Sequence, residues 1–115
     1  MPSSVKASIK NAGLKYYQYT DINDVIQTAD IIYMTRVQRE RFPDPLEYER
    51  VKDSCILTAS MLEGCKPTMK VLHPLPRVNE ITVDVDSTPY AYYFQQAQNG
   101  VYVRQALMAA ILGVR

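Results

Sequence analysis

The chain has 115 residues and a formal net charge of +1, with 47% hydrophobic and 22% charged residues. These values fit one small globular domain, and the near-neutral charge gives no electrostatic case for binding nucleic acid or an anionic membrane. The longest apolar stretch, residues 106–114, is far shorter than the ~20 residues that span a bilayer. Lys6 and Lys10 interrupt the only candidate signal peptide. We therefore expect a cytoplasmic protein.

The residues that commonly bind metals do not form a recognisable site in this sequence. Cys55 and Cys65 match no zinc spacing, and His73 is the only histidine. Asp84 and Asp86 have too few companion oxygen ligands nearby, so solvated or capping carboxylates are the better interpretation. We expect no metal and no cofactor, and we expect the two cysteines to be buried or half-buried free thiols.

The first third of the chain alternates between helix and strand patterns. Helical spacing predicts a helix over residues 2–12, and the tyrosine-rich residues 14–20 suit a strand. Asp21 is a good N-cap for an amphipathic helix of about two turns over residues 22–29. The continuous apolar run 31–34 is typical of a strand buried on both faces of a parallel sheet. This alternation predicts an α/β fold.

A cluster of charged and amide side chains directly follows the 31–34 strand. It contains Arg36, Gln38, Arg39, Glu40 and Arg41. The planar fork of arginine matches a carboxylate, and glutamine can both donate and accept hydrogen bonds. A solvated charged loop is the alternative. The position after a central strand favours binding, because ligands of α/β sheets bind at the carboxyl ends of the strands.

The centre of the chain leads to a proline-rich loop. Asp44 and Glu47 form a capping box for a helix that ends near Ser54. A strand over residues 69–72 then enters the segment 73–81, which contains Pro74 and Pro76. Neither proline has a backbone N–H, so this loop presents mostly carbonyl acceptors at the end of the strand.

The C-terminal part is predicted to be helical. A Ser or Thr at 87–88 caps a helix with Pro89 in its first turn, and the Asn-Gly pair at 99–100 breaks or kinks it. Residues 101–112 continue as a helix. Its apolar stripe consists of Val103, Leu107, Ala110 and Ile111.

Three segments together resemble the aspartate carbamoyltransferases. The run 73–81, His-Pro-Leu-Pro-Arg-Val-Asn-Glu-Ile, is similar to the signature of that family. Residues 33–41, Tyr-Met-Thr-Arg-Val-Gln-Arg-Glu-Arg, resemble its aspartate-gripping segment, and residues 91–100 resemble its C-terminal helix. The three occur in the family's order and are spread over residues 33–100, which is most of the chain. Ornithine carbamoyltransferases resemble this fold but carry a cysteine where this chain has Pro74, which points to aspartate as the substrate.

The resemblance implies a Rossmann-like, three-layer parallel sheet that is incomplete. Residues 1–98 would be part of the aspartate-binding domain. Residues 99–115 would be a C-terminal helix that packs on a missing carbamoyl phosphate domain. An incomplete sheet has exposed edges, and the stripe of the last helix would then face water or a partner.

The implied reaction transfers the carbamoyl group of carbamoyl phosphate to L-aspartate, giving N-carbamoyl-L-aspartate and phosphate in pyrimidine biosynthesis. The family works without a covalent enzyme intermediate, by orienting two small anions and stabilising charge. Arg36 would hold a carboxylate of aspartate, with Gln38 beside it. Pro74, Leu75 and Pro76 would bind carbamoyl phosphate, with a cis bond between Leu75 and Pro76.

The resemblance further implies that Arg39, Glu40 and Arg41 belong to a mobile loop that closes over the substrates. His73 matches the family pattern but is not expected to act as an acid or base.

Other parts of the family's active site are absent from this sequence. The phosphate-binding Ser-Thr-Arg-Thr-type loop, the serine and lysine lent by a neighbouring subunit and a second aspartate-binding arginine have no counterpart. We therefore expect the chain alone to be inactive and to need an N-terminal carbamoyl phosphate domain or complementary chain within the family's catalytic trimer.

The alternative is a non-catalytic truncated relative that acts as an oligomerising interaction module. Retention of Arg36, Gln38 and the Pro-Leu-Pro run favours part of an active enzyme. A nucleotide-binding role is disfavoured, because no G-x-G-x-x-G motif is present.

Overall fold

A short parallel sheet with helices before, between and after its strands forms the α/β architecture that the sequence predicts. The computed structural model describes residues 2–37, 43–51 and 55–114. The regular elements are α1 (Ser3–Asn11), β1 (Ile31–Tyr33), α2 (Pro45–Val51), β2 (Lys70–Leu72) and α3 (Tyr93–Leu112). Short 3-10 turns lie at Ile22–Asp24, Ile26–Thr28, Ala59–Leu62 and Val83–Ser87.

β2 lies between two extended segments. On one side β1 pairs with it in parallel, in a register that places Tyr33 opposite Leu72. On the other side the Val71 N–H donates to the Tyr90 carbonyl at 2.8 Å, and the Tyr92 N–H donates to the Val71 carbonyl at 3.0 Å. Because β1 and β2 run in the same direction, the chain leaves both strands at one edge of the sheet.

The hydrophobic core surrounds β2. Its buried side chains are Ile26, Ile32, Met34, Leu57, Leu62, Cys65, Met69, Val71, Ile81, Val85 and Tyr93. Two polar side chains, His73 and Glu80, are also buried. Both lie in the segment that follows β2, so the core extends beneath the proline-rich loop.

The strand predicted at residues 14–20 does not form. Residues 14–19 carry neither helix nor strand, and every residue from 11 to 20 is exposed. Strand preference depends on neighbouring strands and packing, and no strand in the described ranges lies beside this segment. The helix predicted at 22–29 forms two 3-10 turns, of which Asp21 caps the first by accepting the Asn23 N–H at 2.9 Å.

β1 is buried on one face only, so the prediction of burial on both faces is wrong. Ile32 and Met34 are buried, whereas Ile31 and Tyr33 are 61% and 55% exposed. Side chains alternate between the two faces of a strand, and the described part of the chain leaves most of the second face uncovered. A continuous apolar run does not by itself show that both faces are covered within one chain.

The C-terminal helix begins later than predicted and does not break. It begins at Tyr93 because the preceding residues, 90–92, pair with β2. It passes through Asn99 and Gly100 without interruption. The Gln95 side chain donates to Asn99 at 2.9 Å, and the Arg104 side chain lies against Gly100, so contacts along the helix offset the weak helix preference of the pair.

The remaining predictions concern α1, α2 and the cysteines. The helix predicted at 2–12 forms as α1, and the Asp44 carboxylate accepts the Leu46 N–H at 2.9 Å at the start of α2. The Glu47 side chain and the predicted end of this helix near Ser54 lie outside the described residues. Both cysteines are free thiols, but Cys55 is exposed and only Cys65 is buried. No helix in the described ranges is long and apolar enough to cross a membrane.

Candidate functional site

Two of the predicted site segments leave the sheet at the same edge. The Met34 N–H donates to the Leu72 carbonyl at 2.9 Å just beyond the strands, and the two segments continue from there. Arg36 follows β1 as an exposed side chain, and Pro74 and Pro76 follow β2 as exposed residues. The predicted residues Gln38, Arg39, Glu40 and Arg41 lie outside the described residues.

The proline loop has an unusual backbone at Leu75. The Leu75–Pro76 peptide bond is cis, as predicted, and Leu75 has φ of +50°. This left-handed conformation is uncommon for a residue other than glycine, so surrounding contacts must hold it. The half-buried Leu75 side chain packs against the core.

The buried side chain of His73 holds this loop from the side of the core. It is 1% exposed, and its Nδ1 accepts the Leu75 N–H at 2.8 Å. A ring nitrogen that accepts a hydrogen bond carries no proton, so the proton lies on Nε2. Nε2 then donates to the Glu80 carboxylate at 2.6 Å. Both ring nitrogens are therefore used to position the loop.

Glu80 completes the hydrogen bonding of the same segment. One carboxylate oxygen accepts from His73, and the other accepts the N–H groups of Val78 and Asn79, both at 3.1 Å. Burial raises the pKa of Glu80, but the backbone N–H donors and the His73 ring outweigh it, so the pKa lies below its usual value. Glu80 is accordingly ionised at neutral pH, and its carboxylate links the His73 side chain to the backbone of residues 78–79 in the same loop.

A second cluster fixes the end of the loop. The Arg77 guanidinium forms a bidentate ion pair with Asp86, with Nη2 2.5 Å from Oδ2. The Tyr93 hydroxyl donates to Asp86 and accepts from Arg77 Nη1 at 3.1 Å. Asp86 is therefore not a solvated or capping carboxylate, and the prediction for it is wrong. The exposed Asp84 accepts from the Thr82 hydroxyl and conforms better to that prediction.

The electrostatics of this cluster stabilise its charged pair. Hydrogen bonds from Arg77 lower the pKa of Asp86, and Asp86 in turn raises the pKa of Arg77. Burial, together with the hydrogen bond to Asp86, raises the pKa of Tyr93 to about 12. The arginine therefore stays charged and the phenol neutral at any pH near neutrality.

Gln96 links the two segments at the edge of the sheet. Its side chain contacts the His73 backbone N–H at 2.9 Å and the Tyr33 hydroxyl at 3.1 Å. Neither the role of Gln96 nor the clusters around His73 and Arg77 were predicted from the sequence. His73 and Glu80 are seven residues apart, which would place them on one face of a helix, but residues 73–80 form neither helix nor strand. Only the path of the loop brings their side chains together.

The described residues offer no obvious place for a metal. No group of three or more His, Cys, Asp or Glu side chains in the described ranges could hold one. A cavity of about 250 Å³ lies between residues 20–23 and residues 55–61. Its lining residues are Thr20, Asp21, Ile22, Asn23, Cys55, Ile56 and Met61, and none of them is a predicted site residue.

Sequence comparison finds relatives over nearly the whole chain. The chain is 58% identical over 115 residues to the aspartate carbamoyltransferase catalytic subunit of Bacteroides fragilis, covering 99% of this chain and 37% of the relative. It is 59% identical to the corresponding subunit of Phocaeicola vulgatus, with the same coverage. The chain therefore spans little more than a third of the length of these relatives.

Solved structures give the same result. The catalytic subunit of M. jannaschii aspartate transcarbamoylase matches with a TM-score of 0.87 and 39% identity, over 98% of this chain and 37% of that chain. Aspartate transcarbamoylase from Trypanosoma cruzi in complex with N-(phosphonacetyl)-L-aspartic acid matches with a TM-score of 0.79 and 32% identity, over 94% and 36%. These likenesses confirm the predicted Rossmann-like fold class.

The sequence model of one protein family covers almost the entire chain. The model for the Asp/Orn binding domain of aspartate/ornithine carbamoyltransferases matches residues 2–111. The predicted resemblance is thereby confirmed, and the chain belongs to the aspartate/ornithine carbamoyltransferase family, within its aspartate/ornithine-binding domain.

Proposed function

We propose that this chain supplies the aspartate-binding part of an aspartate carbamoyltransferase catalytic subunit. The proposed reaction transfers the carbamoyl group of carbamoyl phosphate to L-aspartate, giving N-carbamoyl-L-aspartate and phosphate. The names of the relatives support this choice of substrate over ornithine. The related T. cruzi enzyme has been solved with carbamoyl phosphate and with aspartate plus phosphate.

The hydrogen-bonding character of the proline loop carries the proposal. Pro74 and Pro76 have no backbone N–H, and the Leu75 N–H is already bound by His73 at 2.8 Å. The backbone of residues 74–76 therefore has only carbonyl oxygens left for a ligand. We call the loop that contains it, residues 73–80, the acceptor loop. Such a segment suits a ligand that donates through N–H groups, as the carbamoyl amide and the attacking amine both do.

Arg36 is the proposed anchor for a carboxylate of aspartate. It is exposed in the segment that follows β1, at the edge of the sheet where the acceptor loop also emerges. A guanidinium can bind a carboxylate through two parallel hydrogen bonds, which fixes its orientation as well as its position. Gln38 is proposed to contact the same substrate.

The proposed chemistry needs orientation more than a protein nucleophile. The aspartate amine attacks the carbamoyl carbon, a tetrahedral centre forms, the carbon–oxygen bond to phosphate breaks, and the departing phosphate takes the proton that the amine nitrogen loses. The carbonyl acceptors hold the N–H groups of the reacting centre in place during these steps. Arg39, Glu40 and Arg41 are proposed to belong to a loop that closes over the substrates.

The rest of the active site would come from outside this chain. We propose that residues 1–98 act with an N-terminal carbamoyl phosphate domain or complementary chain, in a cytoplasmic catalytic trimer. Residues 99–115 would pack on that domain. Along this helix Val103, Leu107 and Ile111 are 66%, 59% and 75% exposed, which supports a covering surface elsewhere. Pyrimidine biosynthesis is the pathway implied by the reaction.

A fusion tests the proposal. These 115 residues replace the matching third of the B. fragilis catalytic subunit, and formation of carbamoyl-aspartate is measured for the fused protein and for the chain alone. We expect activity only in the fusion. Arg36→Ala should raise the KM for aspartate, whereas Lys10→Ala on α1 should not. A folded but inactive fusion would contradict the proposal and favour a non-catalytic oligomerising module.

A further inference from the structure

The side chain of Gln96 joins α3 to the ends of both strands. Gln96 is half-buried in the first turn of α3, three residues after the fully buried Tyr93. Residues three apart lie on one face of a helix, so this turn directs both side chains toward the sheet edge. There Gln96 contacts His73, the first residue after β2, and Tyr33, the last residue of β1.

The direction of the Gln96 amide follows from its partners. The backbone N–H of His73 can only donate, so the oxygen of Gln96 faces it at 2.9 Å. The amide nitrogen then faces the Tyr33 hydroxyl at 3.1 Å and donates to it. Reversing the amide would set two donors against each other at His73. One side chain therefore fixes the two strand ends in a defined relation.

We infer that Gln96 is a positioning residue that sets the distance between the segment of Arg36 and the acceptor loop of Pro74. This inference rests on the proposed function, because those two segments are proposed to hold the two substrates. Gln96 touches neither segment's substrate-facing group. It acts through the backbone of His73, directly before Pro74, and through Tyr33, three residues before Arg36.

The anchoring of Gln96 makes this role physically reasonable. The Gln96 N–H donates to the Tyr92 carbonyl at 2.9 Å, and Tyr92 itself is bonded to Val71 in β2. Tyr93 is held by Asp86 and Arg77. The helix turn that carries Gln96 is thus fixed to the sheet independently of the Gln96 side chain, which can therefore act as a spacer of constant length.

The first test compares two glutamines on the same helix in the fused catalytic subunit described above. Gln96→Met removes both hydrogen bonds with little change in size. Gln95→Met is the matched control, because Gln95 is exposed and bonds only to Asn99 among the contacts described. We expect Gln96→Met to lower kcat about tenfold with much smaller changes in either KM, because misalignment affects the transition state more than binding. The control should leave kcat unchanged.

A second variant tests the bond to β1. Tyr33→Phe should lower kcat less than Gln96→Met, since the bond to His73 remains. In the Gln96→Met background it should have no further effect, because its partner is already gone. Full additivity of the two losses would overturn the link between Gln96 and Tyr33.

Amide hydrogen exchange provides a readout that does not need activity. In the fused protein Gln96→Met should speed exchange of the His73 amide, and Gln95→Met should not. Unchanged exchange at His73 would overturn the inference, as would faster exchange with kcat equal to the control. If the unsubstituted fusion folds but forms no product, the proposed function fails, and the positioning role of Gln96 in catalysis fails with it. If the unsubstituted fusion is active and Gln96→Met has the same kcat as Gln95→Met, the proposed function stands and only the positioning role fails.

Discussion

Two regions of the C-terminal half differ in how far their groups find partners within the described part of the chain. In the loop of residues 73–80, buried side chains bind the backbone N–H groups of Leu75, Val78 and Asn79. In the second half of α3, residues 101–108 and 110–112 are all exposed, although many are apolar. The chain therefore completes the polar interactions of its acceptor loop and leaves the apolar surface of its last helix uncovered.

The difference separates what the chain can build alone from what needs another surface. The backbone N–H groups of the loop donate to His73 and Glu80, two side chains that lie within eight residues of one another. Burial of a helix face requires a second layer of structure, which the described residues do not supply. The acceptor geometry should thus exist before any partner binds, whereas the position of the end of α3 should depend on one.

Glu80→Ala should produce the largest loss on the loop side of this comparison. It removes the partner of the buried His73 ring and the acceptor of two N–H groups. Breaking a buried hydrogen-bonded pair costs about 3–5 kcal/mol, so the free energy of unfolding in urea should fall by this amount. Glu63→Ala, at an exposed carboxylate, is the control and should change stability by less than ~0.5 kcal/mol. A small effect at Glu80 would mean that the loop is held by other contacts.

Alkaline pH should loosen the attachment of the loop to α3. The pKa of Tyr93 is raised to about 12 by burial and by Asp86, while an unfolded tyrosine titrates near 10. The stabilisation, about 3 kcal/mol, is therefore fully present below pH 10 and is lost as pH rises from 10 through 12. Unfolding in urea between pH 9 and 12 measures this slope.

Tyr93→Phe provides the comparison for the alkaline slope. It has no hydroxyl to ionise, so its stability should depend less steeply on pH between 10 and 12. At pH 8 it should be less stable than the unsubstituted chain by about 1 kcal/mol, for the lost hydrogen bonds. Equal slopes in the two proteins would show that Tyr93 does not cause the alkaline loss.

The sequence predicted the acceptor loop well because its features are local. Two prolines remove N–H groups wherever the chain places them, and the resemblance identified the cis bond before Pro76. The clusters that hold the loop were not predicted. His73 with Glu80, and Arg77 with Asp86, are joined by a stretch of chain that contains no α-helix or strand, so local periodicity does not predict their contacts.

Burial was the other property that local patterns predicted poorly. The apolar run of β1 predicted two covered faces, yet Ile31 and Tyr33 are exposed. The tyrosine-rich segment 14–20 has strand preference but gains no neighbouring strand in the described part of the chain. Both errors concern contacts with surfaces that local sequence does not contain.

Two substitutions of His73 distinguish its two hydrogen bonds. Asn places an oxygen near the position of Nδ1 and can still accept the Leu75 N–H, whereas Gln can reach Glu80 but leaves that N–H unbound. Each should destabilise the chain by about 1–3 kcal/mol. In the fused subunit the Asn variant should retain more kcat/KM for carbamoyl-aspartate formation, because the acceptor loop keeps its shape. The reverse order would place the importance of His73 in its bond to Glu80.

Leu107→Ala should give the smallest effect and test the uncovered helix directly. Leu107 is 59% exposed and Ala is an equally good helix former, so the chain alone should lose less than ~0.5 kcal/mol of unfolding free energy. Leu62→Ala, at a side chain that is 1% exposed, is the matched control and should cost about 2–5 kcal/mol. In the fused subunit the cost of Leu107→Ala should rise toward that of the control if the helix packs on the added carbamoyl phosphate domain. An equally small cost in both proteins would mean that the stripe stays in water and that α3 needs no covering surface.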